Sequence, residues 1–97
     1  MKRLVLLGGG HAHVHVLKSL GDEPVADTEV VLVTPFERQV YSGMLPGWLA
    51  GHYALDACMV ALKPLAARAG ARFVRSSVTQ LEASAGRCRL ADGTSLE

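Results

Sequence analysis

LVLLGGGHAH, at residues 4–13, is the stretch that decides the fold of this chain. Its four apolar residues, ended by glycine, are typical of a strand that is buried on both faces. Gly8 permits a tight turn after that strand, and Gly10 lets the backbone come close to a bound phosphate group. The G-x-G spacing between a strand and a helix therefore predicts a phosphate-binding turn, with the positive end of the helix facing the phosphate.

A helix and a second strand are predicted to follow this turn. Apolar residues at four-residue spacing predict a helix over residues 11–20, and Gly21 is expected to end it. The β-branched run at residues 30–33 predicts a second buried strand. Together these elements form a βαβ unit, whose strands are parallel and joined by a right-handed crossover. We expect residues 72–76 to add a third parallel strand on the other side of the first strand.

The middle of the chain is predicted to be less regular. Residues 35–54 mix proline and glycine with large apolar side chains, so we expect an irregular segment with a short helix at about residues 47–51. Asp56 is expected to cap a helix that runs to Ala69. That helix should break, or start afresh, near Lys63-Pro64, because proline is tolerated only in a first turn.

Short strands are predicted for the C-terminal part of the chain, over residues 78–83, 87–91 and 94–97. Asp92-Gly93 is a strong hairpin signal between the last two of them. Because the sequence stops at Glu97 within a predicted strand, we expect the chain to be a truncated piece of something longer.

Composition and charge narrow the classes of function. The chain has 97 residues, enough for one small domain or part of one, and 49% of them are hydrophobic, as in folded globular proteins. The net charge of +1 gives no electrostatic reason to expect nucleic acid as a partner.

The apolar run at residues 4–7 is too short for a signal peptide or a membrane span, so a cytoplasmic protein is expected. Cys58 and Cys88 are not a closely spaced redox pair and are expected to be buried small apolar residues.

Two positions depart from the usual dinucleotide-binding pattern. His13 stands where the pattern has its third glycine, so we expect either a wider approach of helix to strand or a turned side chain. Thr34 stands at the end of the second strand, where an acidic residue usually binds ribose. Thr34 itself or the nearby Glu37 is expected to take that role. A purely structural glycine turn without a ligand is the alternative.

Three histidines alternate at residues 11, 13 and 15. On the predicted helix only His11 and His15 share a face, and two ligands are too few for a structural zinc site. We therefore expect no metal site. His11 and His13 are expected to line the nucleotide site, where an imidazolium near phosphate is favourable. Surface or packed histidines without a role are the alternative.

Several stretches of the sequence together resemble one known family. They are LLGGGHAHVHVL at residues 6–17, YSGMLPG at 41–47, AGHY at 50–53 and GARF at 70–73. They resemble the N-terminal part of the FAD-dependent pyridine nucleotide-disulfide oxidoreductases, in the branch of type II NADH dehydrogenases and sulfide:quinone oxidoreductases. Within that branch they resemble flavoproteins fused to selenide, water dikinase. The resemblance implies an α/β fold, a Rossmann-like parallel βαβ sheet with a short β-meander at its C-terminal end. Residues 1–97 would be the N-terminal portion of a single FAD/NAD(P)-binding domain.

The resemblance also implies cofactor contacts at particular residues. The cofactor would be FAD, with NAD(P)H as a substrate of the full-length protein. The implied contacts are Gly8, Gly10, Ala12 and His13 for the pyrophosphate, Thr34 and Pro35 for the ribose, Ser42, Gly43, Met44 and Leu45 near the pyrophosphate and flavin, and the backbone of Val78 for the adenine edge.

Three functions are consistent with these residues. The resemblance implies an oxidoreductase that passes electrons from NAD(P)H through FAD to a quinone or small-molecule acceptor, and the 97-residue piece alone is expected to be inactive. The first alternative is a stand-alone module that binds NAD(P) or an adenine nucleotide without catalysis, with Arg38 near a 2′-phosphate. The second alternative is a non-enzymatic domain that buries residues 36–54 in a partner.

The expected partners follow from the same reasoning. They are a flavin nucleotide and the missing remainder of the same protein, and no nucleic acid is expected. The apolar side chains of residues 36–54 also favour self-association of the piece. Peripheral membrane contact of the full-length protein is left open.

Overall fold

The structure, a computed structural model, describes residues 2–97, with the side chain of His11 outside the described part. Eight strands and three helices alternate along these residues, with short 3₁₀ turns at Ser42–Met44, Leu55–Cys58 and Ala83–Ala85. In chain order they are β1 (Lys2–Leu7), α1 (His11–Asp22), β2 (Thr28–Thr34), β3 (Arg38–Val40), α2 (Leu45–Leu49), β4 (Met59–Ala61), α3 (Leu62–Arg68), β5 (Arg72–Arg75), β6 (Val78–Glu82), β7 (Arg87–Leu90) and β8 (Ser95–Leu96).

The predicted βαβ unit is confirmed. β1 and β2 are parallel neighbours, in a register that places Leu4 opposite Val30 and Leu7 opposite Val33. α1 connects them. The residues from Val30 to Val33 are all buried, as the continuous β-branched run predicted. The α/β fold class read from the sequence is therefore correct.

The predicted position of the third parallel strand is wrong. β5 is parallel, as expected, but it pairs with β2 rather than with β1, so the strand order is β1-β2-β5. The reason is that α3 packs on the same face of the sheet as α1: Leu17 of α1 and Leu62 of α3 lie in one buried cluster. Two right-handed crossovers over the same face move the chain in the same direction, so the third strand lies beyond the second.

Three layers enclose two cores. The cluster between sheet and helices contains Leu6, Leu17, Leu20, Val30, Leu32, Leu62 and Ala66. The opposite face of the sheet packs against the antiparallel meander β6-β7-β8, where Val31 and Val33 meet Cys88 and Leu90. The predicted C-terminal meander is thus confirmed, and it serves as the second cover of the parallel sheet.

Two predicted helix boundaries differ from the structure. Gly21 does not end the first helix, because α1 continues to Asp22. A Cβ atom at Gly21 would lie 3.5 Å from the carbonyl oxygen of Arg68 at the end of α3, an ordinary van der Waals contact. Asp56 does not cap a helix; it lies in a 3₁₀ turn, and its carboxylate is 3.6 Å from the exposed Arg38 guanidinium. The fresh helix start near Lys63-Pro64 is confirmed, since α3 begins at Leu62.

The irregular segment at 35–54 contains more order than predicted. β3 pairs antiparallel with β4, and α2 supplies the expected short helix, two residues earlier than predicted. Cys58 and Cys88 are free thiols and both are buried, in agreement with their interpretation as small apolar residues. None of the helices within residues 2–97 is both long and apolar enough to cross a membrane.

The hairpin turn at Asp92-Gly93 is confirmed between β7 and β8. The Leu90 N–H donates to the Thr94 carbonyl at 2.8 Å across the turn. The Asp92 carboxylate accepts two further hydrogen bonds, from the Thr94 hydroxyl at 2.6 Å and from the Thr94 N–H at 3.0 Å. The Asp92 side chain thereby closes a local ring that holds the start of β8.

We expect this turn to lose stability in acid. The Thr94 hydroxyl, and then the Thr94 N–H, hold the pKa of Asp92 below its ordinary value of 3.8. Because the folded-state pKa is the lower one, the stabilisation is present above the unfolded-state pKa and is lost as the pH falls through the folded-state pKa. An NMR titration of the Thr94 amide should give a midpoint below 3.8, and Asp92→Asn should abolish that step. A midpoint at or above the ordinary value would contradict this account.

Candidate functional site

The glycine turn between β1 and α1 is anchored to the end of β2. Gly8 has a φ of +95°, a conformation that residues with a Cβ rarely adopt. Its N–H donates to the carbonyl of Val33 at 2.7 Å. The tight turn predicted at Gly8 is therefore present, and a neighbouring strand holds its first residue in place.

The N-terminus of α1 is accessible to solvent and has no side-chain cap. Gly10 is the N-cap residue, with extended backbone at φ −67° and ψ 177°, and a Cβ atom built on it would meet nothing within 4 Å. Gly10 and Ala12 are both exposed. The first N–H groups of a helix have no acceptor within the helix, and they carry its positive dipole end. The turn can therefore accept an anionic group through its backbone.

Gly9 has a structural role that the sequence analysis missed. It is buried, and a Cβ atom built on it would overlap Cδ1 of Leu62 from α3. Leu62 is itself fully buried, so its side chain has little room to move away. The G-x-G motif allows any residue at its middle position. The contact that requires glycine there comes from Leu62, which is distant in the sequence. No local sequence signal could therefore have identified it.

The side chain of His13 turns back onto the glycine turn, which confirms one of the two predicted arrangements. Its Nδ1–H donates to the carbonyl oxygen of Gly8 at 2.7 Å, and the ring is half-buried. Because a carbonyl oxygen can only accept, this bond assigns the proton to Nδ1. The predicted role of the His11 side chain lies outside the described residues.

The end of β2 differs from a typical ribose-binding strand end. The side chain of Thr34 is 1% exposed, and its hydroxyl accepts a hydrogen bond from the Phe36 N–H at 3.4 Å. Pro35 and Glu37 are exposed, and the Glu37 carboxylate lies 4.0 Å from the Arg75 guanidinium. Glu37 is thus the solvent-accessible acidic group near this strand end, whereas the Thr34 hydroxyl is engaged locally.

The remaining predicted residues lie on two other elements. Ser42 and Gly43 are exposed in a 3₁₀ turn, while Met44 and Leu45 are half-buried where that turn enters α2. Val78 begins β6 opposite Leu90, and its side chain packs against the core below the meander. The Val78 side chain is half-buried, and the contact expected from this residue is through its backbone.

A cavity connects α1 to the 3₁₀ turn. It has a volume of about 260 Å³ and lies one helical turn beyond the glycines. Its lining mixes apolar and polar groups: Val14, His15, Lys18, Gln39, Val40, Tyr41, Ser42 and Val60. The structure thus brings Ser42 next to α1. Among the described side chains, which leave out His11, no three His, Cys, Asp or Glu groups are placed to hold a metal ion.

Comparison with known proteins identifies structures with the same fold. The sulfide:quinone oxidoreductase of the hyperthermophilic bacterium Aquifex aeolicus matches with a TM-score of 0.83 and 17% identity, over 100% of this chain and 22% of that chain. NDH2 from Plasmodium falciparum in complex with NADH matches with a TM-score of 0.70 and 12% identity, over 98% of this chain and 20% of that chain. The same protein in complex with RYL-552 gives 0.71. No protein-family model and no curated protein matches.

These neighbours belong to the branch that the sequence resembles. The resemblance is therefore confirmed at the level of the fold, which is what identities of 12–17% show. The chain spans about a fifth of the length of these solved proteins.

The contact between Gly9 and Leu62 gives a matched pair of variants. Gly9→Ala should lower the free energy of unfolding by about 2 kcal/mol, because the added methyl overpacks a filled core. Gly10→Ala adds the same methyl into open space and should cost less than about 1 kcal/mol. Chemical denaturation measures both values.

A double variant tests the same contact from the other partner. Adding Leu62→Ala to Gly9→Ala should cost less than the sum of the two single changes, since the shortened side chain makes room for the methyl. Equal losses at the two glycines, or strict additivity, would show that Leu62 does not restrict Gly9.

Proposed function

We propose that this chain is the N-terminal FAD-binding portion of a flavin-dependent oxidoreductase, in which NAD(P)H is the electron donor. The observation that carries the proposal is the exposed, uncapped helix N-terminus at Gly10, next to the left-handed Gly8 and directly after a buried parallel strand. This arrangement suits the pyrophosphate of a dinucleotide. The fold shared with a sulfide:quinone oxidoreductase and with NDH2 supports the choice of FAD.

The residues present fit an extended dinucleotide. The backbone of Gly8, Gly10 and Ala12 would hold the pyrophosphate, because open space lies where a Cβ of Gly10 would project. Glu37 would meet a ribose hydroxyl beyond Pro35, since the Thr34 hydroxyl is buried and already bonded. The bound FAD would supply the redox chemistry, which is to accept hydride and to pass the electrons on.

The other end of the cofactor would meet the elements around the cavity. Ser42, Gly43, Met44 and Leu45 would approach the flavin side, and the exposed backbone of the 3₁₀ turn would supply polar contacts there. At the adenine end, the backbone of Val78 would contact the ring edge, where the β6–β7 ladder is irregular between Val78 and Gln80. The chain's own contribution is to bind and orient the cofactor.

The electron acceptor would be a quinone or another small molecule. Acceptance by a protein disulfide next to the flavin needs two neighbouring thiols, and the two cysteines of this chain are buried in separate places, Cys58 beside α2 and Cys88 beneath the parallel sheet. The alternative is a stand-alone module that binds NAD(P) or an adenine nucleotide without catalysis, in which Arg38 would lie near a 2′-phosphate. The Arg38 guanidinium lies 3.6 Å from the Asp56 carboxylate in an exposed ion pair, which does not exclude a phosphate, so the fold shared with a sulfide:quinone oxidoreductase and with NDH2 is what favours the first proposal.

Gly10→Val is the direct test of the cofactor site. The substitution should abolish flavin retention in the longer protein that contains this chain, because the side chain would fill the space that a pyrophosphate needs. Since a Cβ at Gly10 meets no protein atom within 4 Å, the fold should persist.

Visible flavin absorbance of the purified protein measures retention, and circular dichroism reports the fold. Ala67→Val, an exposed change on α3, is the control that should retain flavin. Stoichiometric flavin in the Gly10→Val protein would rule out this turn as the site.

The 97-residue chain by itself should bind FAD weakly or not at all and should self-associate. Several large apolar side chains of the segment that includes α2 are exposed: Phe36 (64%), Trp48 (38%), Leu49 (77%), Tyr53 (46%) and Leu55 (40%). Exposed large apolar side chains of this kind promote association. Met44 and Leu45, which were expected to join this surface, are half-buried instead.

Analytical ultracentrifugation with and without FAD checks both expectations against the monomer mass of 10.3 kDa. Leu49→Lys should shift the chain toward monomer. Leu81→Lys, an equally drastic change at a residue 61% exposed on the meander, should leave the association unchanged. A monodisperse monomer that binds FAD at micromolar concentration would contradict this prediction.

A further inference from the structure

The peptide unit between Gly8 and Gly9 is one of the two peptide units of the turn that have glycine on both sides. Neither residue has a Cβ, so ψ of Gly8 and φ of Gly9 can rotate in opposite senses. Such a rotation flips the peptide plane while the neighbouring residues stay in place. Because the peptide is planar and trans, a flip reverses the Gly8 carbonyl and the Gly9 N–H together. A turn that binds an anion through backbone N–H groups depends on their direction.

Three contacts surround this peptide unit. The Gly8 N–H is bonded to the Val33 carbonyl at 2.7 Å, which fixes the residue before the plane. The packing of Leu62 against Gly9 limits the position of the residue after it. Neither contact involves the carbonyl of Gly8 or the N–H of Gly9. Among the contacts of the described residues, which leave out the side chain of His11, the His13 Nδ1–H bond to the Gly8 carbonyl, at 2.7 Å, is the one that acts on the plane itself.

We propose that His13 is a positioning residue that locks the Gly8–Gly9 peptide plane in one orientation. By holding the Gly8 carbonyl toward α1, the imidazole directs the Gly9 N–H the opposite way, and the backbone donors of the turn face a ligand in a single arrangement. The part that concerns FAD rests on the function proposed above. The lock itself is a property of the chain and is testable without a ligand.

The bond explains why histidine is tolerated at the third position of the motif. A third glycine would let α1 pack closely on β1. In this chain the half-buried ring makes a hydrogen bond to the turn from that position. The Nδ1 atom carries a proton in the neutral tautomer assigned above and in the imidazolium, so both forms donate to Gly8.

Three substitutions at His13 separate the hydrogen bond from other roles of the side chain. His13→Asn places an amide nitrogen at the same covalent distance from the backbone as Nδ1, so it can donate to the Gly8 carbonyl. His13→Gln is as polar as His13→Asn, but its amide nitrogen lies as far from the backbone as Nε2 and not as Nδ1. His13→Gly restores the usual third glycine and removes the donor. Thermal unfolding of each variant reports whether the fold persists.

NMR of the ligand-free 97-residue chain, carrying Leu49→Lys in every variant to keep it monomeric, is the first measurement. Nitrogen-15 shifts should show His13 protonated at Nδ1 and not at Nε2 in the neutral ring. The amides of Gly8, Gly9 and Gly10 should be free of microsecond–millisecond exchange in the wild type and in His13→Asn, and should show it in His13→Gln and His13→Gly. A neutral ring protonated at Nε2, or equal exchange in all four proteins, would overturn the lock.

Flavin retention in the longer protein is the second measurement. His13→Asn should bind FAD with an affinity close to that of the wild type, and His13→Gln and His13→Gly should each lose about tenfold, the size expected for one hydrogen bond. A gain of affinity in His13→Gly would overturn the proposal. If the wild type bound no FAD, the function proposed above would fail, and the NMR result would still decide the lock.

Discussion

The burial of β2 on both faces is the constraint on which the rest of the structure depends. Its residues Val30–Val33 pack alternately against the helices and against the meander, and both of its edges are hydrogen-bonded to parallel neighbours. Complete burial of such side chains contributes about 1.5–3 kcal/mol each, whereas an exposed ion pair such as Arg3–Glu29 contributes at most about 1 kcal/mol. Apolar packing around one strand, and not surface charge, therefore holds the three layers together.

The same strand organises the candidate site. At its carboxyl end, the Val33 carbonyl accepts the Gly8 N–H at 2.7 Å, and the Thr34 carbonyl accepts the Ser76 N–H at 3.0 Å. Leu62, at the start of α3, then packs against Gly9. Elements from three regions of the chain thus determine where the N-terminus of α1 lies. An anion site made of backbone groups gains its precision from this kind of support, because it has no side chains of its own to adjust.

Local patterns in the sequence predicted the elements that local chemistry determines. The buried strands, the glycine turn and the Asp92-Gly93 hairpin each follow from a few adjacent residues, and each is present. The sequence did not predict features that depend on distant partners. The place of β5 depends on α3 sharing a face with α1, and the tight fit at Gly9 depends on Leu62 of α3. The geometry of the glycine turn follows the same division: the turn at Gly8 and the open space at Gly10 were predicted from the motif, and the contact at Gly9 was not.

Recognition through the backbone explains how the motif can vary while the fold stays the same. A glycine turn at a helix N-terminus needs one left-handed residue, one position without a side chain and a fixed direction of its N–H groups. Gly8 and Gly10 meet the first two conditions, and His13 supplies the third with a hydrogen bond where the usual pattern has glycine. The buried Thr34 likewise replaces an acidic residue whose role an exposed neighbour such as Glu37 can take over. Because each requirement concerns geometry more than residue type, identities as low as 12–17% are compatible with TM-scores of 0.70–0.83.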